Sequence, residues 1–225
     1  MKALDEQMKE RSSFEETGDT HSMFTIETPL RSDAFLKSDA EKINNIEKLF
    51  GEIMEELGLD LQDDSLKGTP YRVAKMYVRE MFQGLNPENK PSLSVFDNKY
   101  RYNKMLVEKD ITFSSACEHH FLPIIGRAHV AYISSGKVIG LSKINRVVEY
   151  YGKRPQVQER MTMQIFQELK EALDTEDVIV AVEAEHLCVS TRGVNDKTSR
   201  TITLEYGGKF KDEALRNEFY QLIGF

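Results

Sequence analysis

The chain has 225 residues, 40% of them hydrophobic and 30% charged, with a formal net charge of −7. That length buries a real core, as one domain with appendages, and the acidic balance argues against a general nucleic-acid-binding surface. No run of eighteen apolar residues spans a membrane, and Met1–Glu6 has no apolar stretch after its lysine, so it does not read as a signal peptide and a cytoplasmic protein is expected.

Residues 1–37 are polar and aperiodic and read as a flexible N-terminal extension, with Met23-Phe24-Thr25-Ile26 as a short island able to dock on the body. Ser38-Asp39-Ala40-Glu41 is a capping box. It opens a helix carrying Ile43, Ile46, Leu49, Phe50, Ile53, Met54 and Leu57 at helical spacing, with Gly58 as its stop. Thr69 as cap and Pro70 in the first turn start a second helix, which turns Val73, Met76, Tyr77 and Met81 inward and ends near Gly84. Residues 85–104, with their prolines and asparagines, read as a loop that closes an N-terminal helical region over 38–104.

Residues 105–225 change character. Met105–Phe113 and Ala128–Ile133 read as strands, Ser142–Tyr151 as a short helix, and Pro155–Leu173 as a longer one with Val157, Met161, Ile165, Leu169 and Leu173 on one stripe. Val178, Val180, Val182 and Ala184 alternate as a strand does, and that period puts His186 and Cys188 on one face. Ser199–Tyr206 makes a last strand. The order predicts an α+β fold, a sheet covered on one face by helices.

The chemistry gathers at Cys117-Glu118-His119-His120 and at His186-Leu187-Cys188. These segments hold both cysteines and three of the five histidines. In the cytosol thiols stay reduced, so the cysteines are ligands or core residues rather than a disulfide. Cys117, His120 and Cys188 make a Cys₂His set, the donor chemistry of a zinc ion with one open position. Cys117 and His120 can share a metal only if the chain turns between them. His119 and His186 remain as proton carriers for neutral pH. Gly140-Leu141-Ser142-Lys143-Ile144-Asn145-Arg146 places Ser142 as a cap, with Lys143 and Arg146 in the first turns, an anion-binding arrangement or a solvated helix start. Arg192 is a further cation near Cys188, and Arg72 with Lys75 is another pair. In Arg154-Pro155-Gln156-Val157-Gln158-Glu159-Arg160, Glu159 and Gln158 have the donors and acceptors for a guanine edge. Physics alone reads Glu159 as a carboxylate placed at the positive end of a helix dipole.

Together these four segments resemble the signature motifs of the GTP cyclohydrolase I family, from about Glu27 to the C-terminus, and Asp63–Leu66 and Thr69–Tyr77 fit as well. The resemblance implies a tunnelling fold over 105–225: a four-stranded antiparallel sheet with two helices on one side, preceded by the helical region. It implies a homodecamer with sites at subunit boundaries, zinc held by Cys117, His120 and Cys188, and hydrolysis of GTP to 7,8-dihydroneopterin triphosphate and formate, the first step of folate and tetrahydropterin synthesis. His186 would protonate the guanine ring nitrogen and His119 would act near the ribose. Gln158 and Glu159 would read guanine. Ser142, Lys143, Arg146 and Arg192 would hold the triphosphate, with Arg72 and Lys75 reaching in from a neighbour.

Other readings are separable. A pyruvoyl-tetrahydropterin synthase relies on a three-histidine zinc site, which this chain lacks, and the queuosine-pathway nitrile reductases use a cysteine nucleophile without a Cys₂His site. A nucleoside deaminase needs a P-C-x-x-C that does not follow. A zinc-stabilised oligomerisation module needs the metal but not His119, His186 or Glu159.

Overall fold

Helix α1 (Asp39–Glu56) begins as its sequence requires. Ser38 Oγ accepts from the Glu41 amide at 3.3 Å and the Glu41 carboxylate accepts from the Ser38 amide at 2.8 Å, a closed capping box. The chain is represented by a computed structural model that describes residues 25–225. Met23, Phe24 and most of the expected extension lie outside them. The other half of the island does dock: the carbonyl of Ile26 accepts from Gln164 Nε2 at 2.7 Å, and that of Thr25 from Arg160 Nε at 3.4 Å.

Helix α2 (Thr69–Met76) is capped by Gly68, not Thr69. Thr69 already lies inside the helix and Pro70 follows it, where a missing N–H costs nothing. The helix runs on through a π turn, Tyr77–Met81, and a 3₁₀ turn, Gln83–Leu85. Gly84 marks the expected end for a steric reason. Its amide donates to the Lys153 carbonyl at 2.9 Å, and a side chain there would strike the Tyr150 carbonyl. Residues 85–104 are not plain loop, since they contain a 3₁₀ turn, Pro87–Asn89, and strand β1 (Val95–Asp97). β1 pairs antiparallel with β4 (Lys137–Ile139), and three residues are too few to show alternation.

The main sheet has the order β5-β2-β3-β6-β7. β2 (Met105–Cys117), β3 (Pro123–Ile133), β6 (Val178–His186) and β7 (Thr201–Tyr206) are antiparallel neighbours. β5 (Pro155–Gln156) adds a short parallel edge on β2. The expected long helix therefore starts later: Pro155 and Gln156 are strand, and α4 spans Gln158–Leu173. Helix α3 (Leu141–Gly152) is capped by Gly140, which places Ser142 one residue inside instead of at the cap.

The alternating strands turn Ile111, Phe113, Ala128, Val130, Tyr132, Val178, Val180 and Val182 toward α3 and α4, which answer with Ile144, Val147, Val148, Met161, Ile165, Leu169 and Leu173. The helix cover is not confined to that face. Helix α6 (Glu213–Ile223), which follows Asp212 as its cap, packs Phe219 and Ile223 on Ala131, Ile133, Ile179 and Ala181 of the other face.

β2 is interrupted by a bulge between Glu108 and Ile111, with Asp110 left-handed at φ 59°. The freed Asp110 amide donates to His129 Nδ1 at 3.3 Å. His129 is 2% exposed and its Nε2 has no partner among the described residues. Burial lowers its pKa from 6.5, against the charges of Asp110 and Glu183. The unfolded chain therefore takes up this proton first as pH falls. Stability is full above about 6.5 and is lost below it, by at most about 1.4 kcal/mol per pH unit down to the folded pKa. Thermal melts between pH 7.5 and 5 should show a steeper acid-side fall in the wild type than in His129→Gln. Parallel curves would remove His129 as the cause.

Candidate metal centre

Topology brings the two motif segments together. Ala116 of β2 lies opposite Pro123 of β3, and Ile124 of β3 lies opposite His186 of β6. Cys117 and His186 thus end two strands that flank one shared neighbour, on the order of 10 Å apart at the backbone. Side chains reaching inward from both can meet.

Between β2 and β3 the chain makes the tight turn the donor set demands. The Phe121 amide donates to the Cys117 carbonyl at 2.8 Å, and the Cys117 amide to the Leu122 carbonyl at 2.8 Å. Phe121 closes the turn in the left-handed region, φ 55°, and its ring packs on Phe82 at 5.3 Å between centroids. On the β6 side the strand does not continue. After His186 the chain coils into a short helical turn, α5 (Leu187–Ser190), so Cys188 is presented from a helix rather than from the alternating strand that its spacing implied.

The side chains converge. One donor atom each from Cys117, His120 and Cys188 lies within 4.8 Å of the others, a group that could hold a metal ion. Cys117 Sγ is 4.0 Å from His120 Nδ1 and 3.7 Å from His119 Nδ1. Bond lengths of about 2.3 Å to sulfur and about 2.05 Å to nitrogen at a tetrahedral ion put two such donors about 3.6 Å apart, so the spacing fits a divalent ion. Both cysteines are free thiols. Burial and the neighbouring Cys117 push the Cys188 thiol up to about 11, so metal capture must displace its proton. On the outer side Arg192 Nη1 donates to His120 Nε2 at 2.7 Å.

His186 stands beside this group. Its Nε2 is 2.8 Å from Gln158 Oε1. The Gln158 amide nitrogen is committed elsewhere, donating to the Val182 and Thr201 carbonyls at 3.0 Å each and to Thr203 Oγ1 at 3.1 Å. Gln158 Oε1 must therefore accept, and neutral His186 carries its hydrogen on Nε2. Burial lowers the His186 pKa, offset in part by Glu159. Gln158, expected to read guanine, is 2% exposed, and its amide is hydrogen-bonded within the chain. Glu159, next in the first turn of α4, is exposed.

The other cations are elsewhere in the chain. Ser142, Lys143 and Arg146 sit at the start of α3, and Asn145 between them bonds Glu108 at 3.2 Å, near the beginning of β2. Cys117 ends that strand, on the order of 30 Å further along it by strand rise. Arg72 spends its guanidinium on Thr69 Oγ1 at 2.9 Å and the Ser65 carbonyl at 3.3 Å, and Lys75 is exposed in the last turn of α2. Among the described residues no hydrogen bond or ion pair joins any of these five to the cluster. One chain assembles the metal-ligating, histidine and Glu159 part of the expected site, with Arg192, and not the rest of the phosphate part.

Sequence reasoning passed over one member. Glu118, inside the motif, forms a two-oxygen ion pair with Arg160 of α4. The signal was there in Arg160 four residues after Gln156, but nothing in one dimension pairs it with residue 118.

Fold and cluster together define an α+β protein with a candidate Cys₂His metal centre at one end of its main sheet. A sequence model of the family described as GTP cyclohydrolase I matches residues 46–224. A GTP cyclohydrolase 1 from Flavobacterium johnsoniae is 61% identical over 209 residues, covering 93% of this chain and 94% of that protein. The proteins of the same name from Vibrio cholerae and Aeromonas salmonicida are 52% and 51% identical, over 86% and 84% of this chain and 89% and 85% of theirs. The chain belongs to the GTP cyclohydrolase I family of enzymes. Among the described residues no helix is long and apolar enough to cross a membrane.

Proposed function

We propose that this chain is a zinc-dependent GTP cyclohydrolase I, which uses water to open the imidazole ring of GTP, releases formate, and yields 7,8-dihydroneopterin triphosphate as the first step of tetrahydrofolate and tetrahydropterin biosynthesis. The observation that carries the reading is the convergence of Cys117, His120 and Cys188 beside His186. Two thiols and an imidazole are soft and borderline donors that suit zinc better than magnesium or calcium. When bound there, zinc supplies a Lewis acid that makes water nucleophilic near neutral pH.

The protein's own residues do the rest. His186 is neutral and carries hydrogen on Nε2, so Nδ1 is the nitrogen able to exchange a proton. It takes one from the attacking water and gives it to the guanine ring nitrogen, base first and acid second. Gln158 holds the ring in that tautomer. Glu159, exposed beside His186, accepts the N–H groups of the guanine Watson–Crick edge. His119 serves as second acid/base near the ribose. Arg192 binds phosphate; its hydrogen bond to His120 Nε2 keeps the guanidinium beside the residues that would hold the metal. Ser142, Lys143, Arg146, Arg72 and Lys75 act from other copies of the chain, as a homodecamer with sites at subunit boundaries requires. The four antiparallel strands with α3 and α4 on one face support a tunnelling-fold catalytic domain over 105–225 behind a helical region over 38–104. The setting is cytoplasmic.

Zinc-replete protein incubated with GTP should release formate and a pterin chromophore in equal amounts. Protein that holds zinc but yields neither would leave the non-catalytic module as the better reading.

A further inference from the structure

We propose that Glu118 and Arg160 form a positioning pair, which holds the Cys117–His120 turn in the shape that grips the metal; the inference rests on the metal reading above. Glu118 lies between two ligands in sequence, and a carboxylate there is itself a competent zinc donor. It is turned away. Arg160 Nη1 meets Glu118 Oε2 at 2.5 Å and Nη2 meets Oε1 at 3.3 Å, the two-pronged geometry that fixes orientation as well as distance. The pair is enclosed, with side chains 7% exposed for Arg160 and 20% for Glu118. The third guanidinium donor, Nε, goes to the Thr25 carbonyl at 3.4 Å, so the docked N-terminal segment closes over the pair.

The backbone repeats the tether. The Glu118 amide donates to the Gln156 carbonyl at 3.1 Å, and Cys117 pairs in register with Gln156 across β5. The turn is thus pinned at one residue by main chain and side chain, both to the segment that opens α4. That same segment carries Gln158, which orients His186, and Glu159. The start of α4 is a common frame for the ligand turn and for the proton carrier. With the Glu118 charge matched by Arg160, the two thiols are the ligand groups able to balance a dication.

The test uses the full-length protein. Removing one partner strands a buried charge, so the principal variant is the double Glu118→Ala/Arg160→Leu, which buries none. Zinc affinity is read by competition with a chromogenic chelator. Geometry is read from the visible spectrum of the cobalt(II)-substituted protein, and stability from melting of the metal-free form. The double variant should bind zinc about 10- to 100-fold more weakly, the usual cost of losing an outer partner, and its cobalt bands should shift. Glu118→Gln keeps the size and one acceptor but leaves the Arg160 charge unmatched, so it too should weaken zinc binding, with kcat falling more than KM rises. If the double variant fails to fold, zinc affinity and the cobalt spectrum of Glu118→Gln decide between the two roles. Zinc affinity within twofold of wild type and an unchanged cobalt spectrum in a folded variant would overturn the proposal, leaving a purely structural ion pair. Wild-type protein that binds no zinc would sink the metal reading instead.

Discussion

Cys188→Ala is expected to come through gel filtration with no bound zinc and to turn over GTP at least about a thousandfold more slowly than wild type. Two of the three donors come from one turn and hold each other loosely, Cys117 Sγ and His120 Nδ1 standing 4.0 Å apart. The third arrives from a separate strand end and closes the set. Without it a metal keeps one thiolate and one imidazole, too few to compete with solvent and chelators. The fold should survive, because Cys188 only edges the core formed by the sheet with α3 and α4. Metal analysis beside a GTP assay checks this. Zinc content unchanged in Cys188→Ala would remove Cys188 from the ligand set and point to His119, whose Nδ1 lies 3.7 Å from Cys117 Sγ, as the replacement.

His186→Ala is the complementary case, with zinc kept and chemistry lost. The imidazole touches Gln158, and among the described residues no hydrogen bond joins it to the cysteines or His120. Deleting it should leave metal content at the wild-type level while formate release falls by about 10²- to 10⁴-fold, the range a positioned acid/base supplies. KM for GTP should move little, because guanine contact is assigned to Glu159. Full activity in a zinc-loaded His186→Ala protein would end the proton-transfer role. Together the two variants separate metal from proton carrier, which a single activity loss cannot do.

The parts of the fold written in local pattern were legible. Ser38 through Gly58 gives a helix with both ends marked, and the valines of β6 give a buried strand, because capping and periodicity act over a few residues. The parts that failed depend on partners far away in sequence. Pro155 and Gln156 look like the start of a helix until β2 is placed beside them. Ser142 looks like a cap because its hydroxyl suits that role, but Gly140 takes the extended backbone position. Cys188 has the expected neighbourhood for a different reason, since the strand ends at His186 and a helical turn delivers the thiol. Helix α6 escapes the sequence reading although Leu215, Phe219 and Ile223 recur every four residues behind Asp212. The surroundings of Gln158 are the hardest to read in one dimension. Its burial comes with three strand acceptors that only the folded sheet brings within reach.

The separation of the donors along the chain has a consequence for how the protein would acquire an ion. Cys188 follows His120 by 68 residues. At about 5–20 residues per second a ribosome needs several seconds to travel that far. During that interval the nascent polypeptide displays a two-donor half-site, open to whichever transition ion diffuses past. Only when the second sulfur, Cys188, emerges is the three-donor set complete and able to discriminate between ions. An ion held by all three donors would therefore be chosen late, by the finished subunit, and any metal bound earlier would have to be exchangeable at that moment.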